Sequence, residues 1–527
     1  MDRSKIKIVC HTIKYLKPIQ IYYRLYYFVR NRFLKKSYKK EFNVERKKAL
    51  HWNDTLLSPN SYIEKTKFNF LNIEKDFNQE IDWNFKGFGM LWAFNINYFD
   101  FLNQQTIDVK DGIRLIKDYI SKDSLLKVGK ASYPISLRGI NWVKFLIKNK
   151  ISDKEIDKYL YNDYQILFYN PEYHLLGNHL LENGFALLFG AYYFKDELLY
   201  KQALKILKTE LIEQTLNDGG HFELSPMYHQ MMLFRVLDCI QLIKLNLWKN
   251  DDLLLFLESI ASRMTSWLKE VTFDNGEIPM VNDSSFGIAR STEELLYYGE
   301  RLRIQPKDTK LSDSGYRMFK NQKFELFVDV GHVGASYQPA HAHSDTFNFI
   351  LYVDKQPVVV DTGVSTYEKN ALRQSERSTS SHNTVQIGNI EQTQVWGGFR
   401  VAERAKIISL SEEDCLEATH NGYKNLGVEH TRKFDMHTNT IFIKDSFSKK
   451  TKEQQIAYFH LHPTIIDISI EDSRVCIGDK KIELNFTGKN VLIERVNYRF
   501  AAGFNRTLDA IKLKVLFEST LETTIQL

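Results

Sequence analysis

From about residue 53 to residue 301, apolar side chains recur at intervals of three and four. GIRLIKDYI, INWVKFLIK, FALLFGAYYF, RVLDCIQLIKL and LLLFLESIASRMTSWL all carry this spacing, which is the period of an amphipathic helix. Gly and Asp-Gly breaks, such as Asp218-Gly219-Gly220, separate the runs. Many helices of moderate length without a strict sequence repeat predict stacked helix pairs, as in a solenoid or toroid. After about residue 315 the period changes. FELFVDVG, NFILYV, NTVQIG, QIAYFHLH and KVLFES are short β-type runs at regular spacing, which predicts an antiparallel sandwich or jelly roll. The boundary is expected near residues 305–316, at the polar stretch QPKDTKLSDSG. The fold class expected is therefore an α+β multidomain chain: a segment at 1–50, a helical domain at 51–310 and a β-sandwich at 311–527.

Composition changes this picture in three ways. At 527 residues, 43% hydrophobic and 13% aromatic, the chain fills more than one ordinary core. The four cysteines (Cys10, Cys239, Cys415 and Cys476) have no CxxC spacing and read as free thiols rather than a disulfide frame or Cys-type zinc site. The net charge of +6 is uneven: residues 1–50 hold 15 Lys/Arg against 3 Asp/Glu, whereas the remainder holds 56 against 62. The body is thus not a basic nucleic-acid binder.

The positive charge sits with aromatic rings in residues 8–35, where Tyr22, Tyr23, Tyr26 and Tyr27 neighbour Arg24, Arg30 and Arg32. Such a segment fits an anionic membrane surface, and equally fits packing on the body with its charges solvated; binding an acidic polymer is a third reading. No apolar run is long enough to span a bilayer, and a secretory leader pattern is missing. The expectation is a cytoplasmic chain, or one peripheral at the cytoplasmic membrane, with the periplasm or cell envelope as the alternative.

The densest cluster of reactive residue types lies in QPAHAHSDTFNFILYVDKQPVVVDTG and SERSTSSHNTV, at 338–385. Residues 347–353 and 358–360 read as two strands of a hairpin, turning at Lys355-Gln356-Pro357. Alternate residues on a strand share a face, so His341 and His343 are expected on one side of the sheet. Asp361 and His382 can join them in an N/O set suited to Zn²⁺. Hydrogen-bonded sheet residues account for the same pattern, and both readings stay open.

Two helical clusters add further chemistry. In GNHLLEN, the residues Asn178, His179 and Glu182 share one helix face; a buried hydrogen-bond cluster is the plainer alternative. In HFELSPMYH, Ser225 is an expected N-cap and Pro226 suits the first helical position. Tyr228 then falls in the first turn, where the helix dipole would favour a phenolate and a proton-shuttle role. His221, Glu223 and His229 read as supporting residues.

Taken together, GNHLLEN, ELSPMYH, AHAHSDTFNF…VVVDTGVSTYE and SERSTSSHNTVQI resemble the heparinase II/III-type polysaccharide lyases, with alginate lyases and uronyl epimerases of the same build. The resemblance covers most of residues 85–470 and implies an (α/α) toroid followed by an antiparallel β-sandwich. It implies that Asn178 and His179 neutralise a uronate carboxylate and that Glu182 assists them. Tyr228 would be the general acid and a candidate base, with His341 as the second proton-transfer group. It further implies a largely structural zinc ion on His343, Asp361 and His382 at the domain interface. Arg138, Tyr367, Arg373 and Arg377 are candidate substrate contacts, because an anionic polymer needs cations; structural ion pairs explain the arginines as well.

The activity implied is β-elimination on a uronate-containing acidic glycan, in bacterial surface polysaccharide production or turnover. No water attacks in such a reaction, so the paired carboxylates of a glycosidase are not expected. Rival readings are a uronyl C5-epimerase, a non-catalytic glycan-binding or assembly protein, and a metal-dependent oxygenase built on His343, Asp361 and His382.

Overall fold

The computed structural model describes residues 3–33, 50–249, 252–478 and 481–527. Part of the basic segment expected at 1–50, namely residues 34–49, falls outside the described residues.

Helices form where the three-and-four spacing occurs, at Val109–Ser121, Ser132–Lys148, Gly177–Phe194, Pro226–Leu245 and Leu253–Val271. Met90–Tyr98, Lys154–Tyr169, Glu197–Gln214 and Thr292–Arg301 lie around them. Side-chain caps start several of these helices: Asp153, Asp196 and Ser225 each accept a backbone N–H, and Ser291 with Glu294 forms a full capping box. Such caps satisfy donors that the first turn leaves without partners. Gly177–Phe194 is buried on nearly every side, so it forms the centre of the helical region rather than its surface.

Residues 62–76 depart from the helical expectation. Tyr62–Glu64, Lys67–Phe70 and Ile73–Asp76 form a three-stranded antiparallel sheet. Phe68 and Phe70 point inward while Lys67 and Asn69 do not, the two-residue period of a half-buried strand.

The C-terminal half packs a four-stranded sheet against a ten-stranded one. Tyr316–Lys320, Phe324–Asp329, Phe349–Val353 and Gln356–Val359 pair in chain order. Their inner residues Leu326, Val328, Phe349 and Leu351 share one core with Phe434, Ile443, Phe459 and Val515 of the larger sheet. The hairpin turn falls one residue earlier than expected, on Asp354 and Lys355, which have φ of 49° and 63°; such a pair supplies the twist that tight hairpins need. His341 and His343 are not on a strand but in the irregular stretch before Phe349.

An apolar seam joins the halves. Leu224, Trp267, Val271, Phe273 and Val281 from the helical side meet Leu311, Tyr316, Phe327, Ile350 and Tyr352 from the sheets. Two straps cross the same seam. The tip of the long hairpin Ile482–Gly503/Arg506–Gln526 reaches the small sheet, where the Phe504 carbonyl accepts from Asn72 Nδ2 (2.9 Å) and Asn505 Nδ2 donates to the Leu71 carbonyl (3.0 Å). On the other side lie the helices Arg3–Ile13 and Pro18–Phe33. Thr12 Oγ1 accepts from Trp396 Nε1 (3.2 Å), and the Arg404 guanidinium covers the Tyr15 ring at 3.9 Å. Gln20 and Tyr27 donate to the carbonyls of Leu175 and Pro171.

Inside the sandwich, Arg432 lies opposite Asp445 on the neighbouring strand and binds it through both ends of the carboxylate, at 2.7 and 2.9 Å. Its remaining nitrogen donates to the carbonyls of Phe347 and Asn383, so this buried pair pins the loops on both sides of the histidine-rich region. Burial alone would raise the Asp445 carboxyl, but Arg432 and His430 outweigh it and bring the pKa down to about 2. A depressed carboxyl contributes stability that is complete above its unfolded value of about 4. That contribution is lost as pH falls from there toward the folded value of about 2. Asp445→Asn, which leaves Arg432 buried without its counter-charge, is expected to cost about 3–5 kcal/mol in urea unfolding at neutral pH. The variant should also lose stability less steeply than the parent over that acid range.

Candidate active site

A cleft of about 1520 Å³ follows the seam between the two halves. Asn178, His179, Glu182, Tyr228, His341 and Tyr367 all line it, although they come from two helices and two loops. The helices deliver their residues from their N-terminal turns. Gly177–Phe194 is entered through Leu176 and Gly177, both with φ near 60°. A Cβ on Gly177 would lie 2.7 Å from Glu223 Oε1, so glycine lets this turn close on Glu223. Ser225 caps Pro226–Leu245 by accepting from the Tyr228 N–H, and Leu224 just before it has φ of 57°.

Tyr228 and His341 form the centre. Their rings stack with centroids 4.0 Å apart, and the Tyr228 hydroxyl lies 3.4 Å from that of Tyr367. Burial raises the Tyr228 phenol well above its usual range, with the Tyr367 contact only partly offsetting it. The phenolate expected from the helix dipole is therefore not what this environment favours, because desolvation outweighs the dipole. The group is a protonated phenol, ready to donate.

Asp283 organises the imidazoles. It accepts from His341 Nδ1 and His343 Nε2, each at 2.9 Å, and takes two hydrogen bonds from Arg373. Arg373 and the histidines hold its carboxyl well below the ordinary range against the opposing effect of burial. When Nδ1–H is given to Asp283, the other ring nitrogen, Nε2, is the one that faces the cleft side, 3.5 Å from Glu223 Oε2. Glu223 also accepts from the Asn178 backbone N–H at 3.1 Å, linking the helix terminus to the histidine.

Beside this pair lies a set of polar groups without protein partners. Asn178 Oδ1 and Gln338 Oε1 are buried and make no hydrogen bond among the described residues, yet both residues line the cleft. Buried groups of this kind are costly unless something else satisfies them. His179, with 32% of its side chain exposed, sits against Tyr133 and contacts Glu172 at 3.2 Å. Burial lowers its pKa, but Glu172 more than compensates, and the net shift is upward. Glu182 contacts Arg235 at 3.3 Å rather than Asn178 or His179; the carboxylates that reach those two are Glu223, at the Asn178 N–H, and Glu172, at His179.

Three of the four expected substrate contacts need correction. Arg138 is fully buried in an ion pair with Asp163, at 2.6 Å. Arg373 is taken up by Asp283, and Arg377 donates to the carbonyls of Ala342 and Gly398. None of the three lines the cleft. Desolvated guanidinium groups need full pairing, and these find it inside the protein. Arg377 holds the Ala342 carbonyl, between the two histidines, and so positions that loop. Arg24, Arg400 and Arg506 do line the cleft, and none of them is in an ion pair among the described residues.

The expected converging metal ligands are only partly assembled. Among the described residues no three His, Cys, Asp or Glu side chains are gathered as a metal cage. Asp361 is engaged by His382 Nδ1 (2.8 Å), Asn348 Nδ2 (2.6 Å) and the Gly363 N–H. Two nitrogens nevertheless stand ready: His343 Nδ1 and His382 Nε2 are buried without partners, and their rings lie 5.3 Å apart. Burial pulls the His343 pKa down to about 3, leaving a neutral imidazole with a free lone pair. Two imidazoles and a carboxylate form a donor set that suits zinc.

A helical region and an antiparallel sandwich thus enclose a cleft that holds the Tyr228–His341 pair. The chain belongs to the heparinase II/III family, a family of polysaccharide lyases. It matches "Heparinase II/III N-terminus" over residues 20–312 and "Heparinase II/III-like, C-terminal" over 303–515. A heparin-sulfate lyase from Bacteroides stercoris is 23% identical over 337 residues, 53% of this chain and 50% of that protein. The chain thus spans about half the length of that curated relative. A heparinase III crystal structure superposes with a TM-score of 0.69 at 16% identity, over 96% of this chain and 91% of that one. A mutant heparan sulfate lyase from Pedobacter heparinus gives 0.61 at 14% identity, over 96% and 87%.

Proposed function

We propose that the protein is a lyase that cleaves a uronate-containing acidic polysaccharide, of the glycosaminoglycan class named for its relatives, by β-elimination. The observation that carries this reading is the stacked Tyr228–His341 pair, with Asp283 behind the histidine and the unpartnered Asn178 amide beside it. The substrate carboxylate binds against the side-chain NH₂ groups of Asn178 and Gln338 and against His179, donors that stabilise the charge that builds up when the C5 proton leaves. His341 Nε2 takes that proton. The electron pair forms the C4=C5 double bond, the C4–O bond breaks, and the Tyr228 phenol protonates the departing oxygen. Arg24, Arg400 and Arg506 supply charge along the rest of the chain-binding cleft.

His343, Asp361 and His382 would hold zinc in this reading. When bound, it adds a fixed positive charge that braces the loops carrying His341 and Arg377; the proton transfers belong to the protein's own side chains. About one zinc per chain is expected by metal analysis, and chelation should lower the unfolding temperature measurably. A metal-free protein as stable as the purified one would remove zinc from the account.

The test of the activity is a panel of uronate-containing glycans read by ultraviolet absorbance of the unsaturated product and by chain length. Both signals are expected on at least one glycan. Exchange of deuterium into C5 without chain shortening would instead identify an epimerase, and neither signal on any acidic glycan would rule out both.

A further inference from the structure

The helix Pro18–Phe33 has two faces of different character. Gln20, Tyr23, Tyr27 and Arg30 turn toward the body: Gln20 and Arg30 are buried, Tyr23 stacks on Tyr173 at 4.7 Å, and Arg30 donates to the Tyr169 carbonyl. On the opposite side Ile21, Tyr22, Leu25, Phe28, Val29 and Phe33 follow helical spacing and are 42–72% exposed. A contiguous apolar stripe of this kind is unusual on a surface that faces only water. Arg32 lies within the stripe, Arg24 lies at its edge, and the helix contains no Asp or Glu. The sequence that follows, residues 34–49, adds seven Lys/Arg against two Asp/Glu.

We infer that this face is a docking surface for an anionic lipid bilayer, on which the helix lies flat. Apolar and aromatic side chains on one face, cations among them and no acidic group together match the interface between acyl chains and anionic headgroups. A protein groove accepts the same helical spacing, but Arg24 and Arg32 beside the stripe, with no acidic residue in the helix, call for an anionic surface rather than an apolar groove. No described helix is long and apolar enough to cross a membrane, and the inner face of this one is bonded to the body, so it docks without inserting end-on. Gln20 and Arg24 on its flank line the cleft, so docking holds one rim of the cleft beside the headgroups. This inference does not depend on the lyase reading.

The test is flotation of the full chain with phosphatidylcholine vesicles, with and without phosphatidylglycerol, at low and high salt. Binding is expected only to the anionic vesicles and should weaken with salt. Leu25→Glu with Phe28→Glu should reduce it at least about tenfold, and Arg32→Gln by a smaller factor. Phe33→Glu serves as a second single-site variant. All these positions are exposed, so unfolding temperatures should match the parent. The inference is overturned if anionic vesicles capture nothing, if both vesicle types bind equally, or if the Glu variants float as the parent does. It is likewise overturned if sedimentation finds a dimer that Leu25→Glu dissociates, because the face would then belong to a second copy.

Discussion

Asp283→Asn is expected to lower turnover by about 10³–10⁴-fold, the scale seen when the carboxylate behind a catalytic histidine is neutralised. The geometry explains why one atom pair matters so much. A carboxylate accepts from two imidazoles and a guanidinium at once. An amide has only one acceptor oxygen, and its NH₂ would face donors. His341 would then lose the contact that keeps its lone pair on Nε2, and Arg373 would remain buried without a counter-charge. The second effect is expected to cost about 3–5 kcal/mol of stability, so turnover must be measured per folded molecule alongside thermal unfolding. A variant that is less stable but turns over within tenfold of the parent would show that Asp283 is a structural anchor only. His341 would then not be the base it positions.

Tyr228→Phe should cut turnover by about 10²–10⁴-fold, the usual contribution of a positioned general acid, with little change in KM. The ring stays, so the stack on His341 and the packing are kept, and the stability change should stay near 1 kcal/mol or below. The pH dependence follows from the direction of the shift. A phenol whose pKa is raised above 10 remains protonated through the whole neutral and mildly alkaline range. Activity that relies on it as an acid is therefore not limited by its ionisation below about pH 10. If turnover instead rose with pH in step with phenolate formation, Tyr228 would be acting as the base. Near-normal turnover in the phenylalanine variant would move the acid role to another group.

Much of this architecture can be read without coordinates, because its main signals are periodic. The helices from Val109 to Val271 and the strands after Tyr316 each carry their own spacing, and the Ser225-Pro226 pair marks a helix start by local chemistry alone. The chemistry-bearing residue types also stand out, since Asn178, His179, Tyr228 and His341 are polar positions inside apolar runs. Asp283 does not stand out. It sits in the loop NDSS with no period, and its importance arises only where the loops carrying Asp283, His341 and His343 meet Arg373 of the short helix Ala371–Glu376. Arg138, Arg373 and Arg377 show the complementary problem: an arginine in a sequence announces a charge but not its partner. The phenolate expected at Tyr228 fails for a related reason: a helix start is visible in sequence, whereas the depth of burial that raises the phenol is not. The sheet at 62–76 is too short for its alternation to separate from the aromatic-rich surroundings.

The strand Arg506–Gln526 lies at the middle of the large sheet, paired with Thr440–Phe447, Gln455–His460 and Ile482–Gly503, yet it follows all of them in the chain. Synthesis runs from the N-terminus, so the helical half emerges first, with Leu224, Trp267 and Phe273 uncovered until the sheets arrive. The sandwich itself has no keystone until that strand has left the ribosome. A nascent chain therefore carries apolar surface that stays uncovered until that strand is made. Efficient production should depend on chaperones that shield partly made chains, and interrupted translation should yield aggregates rather than partial enzymes.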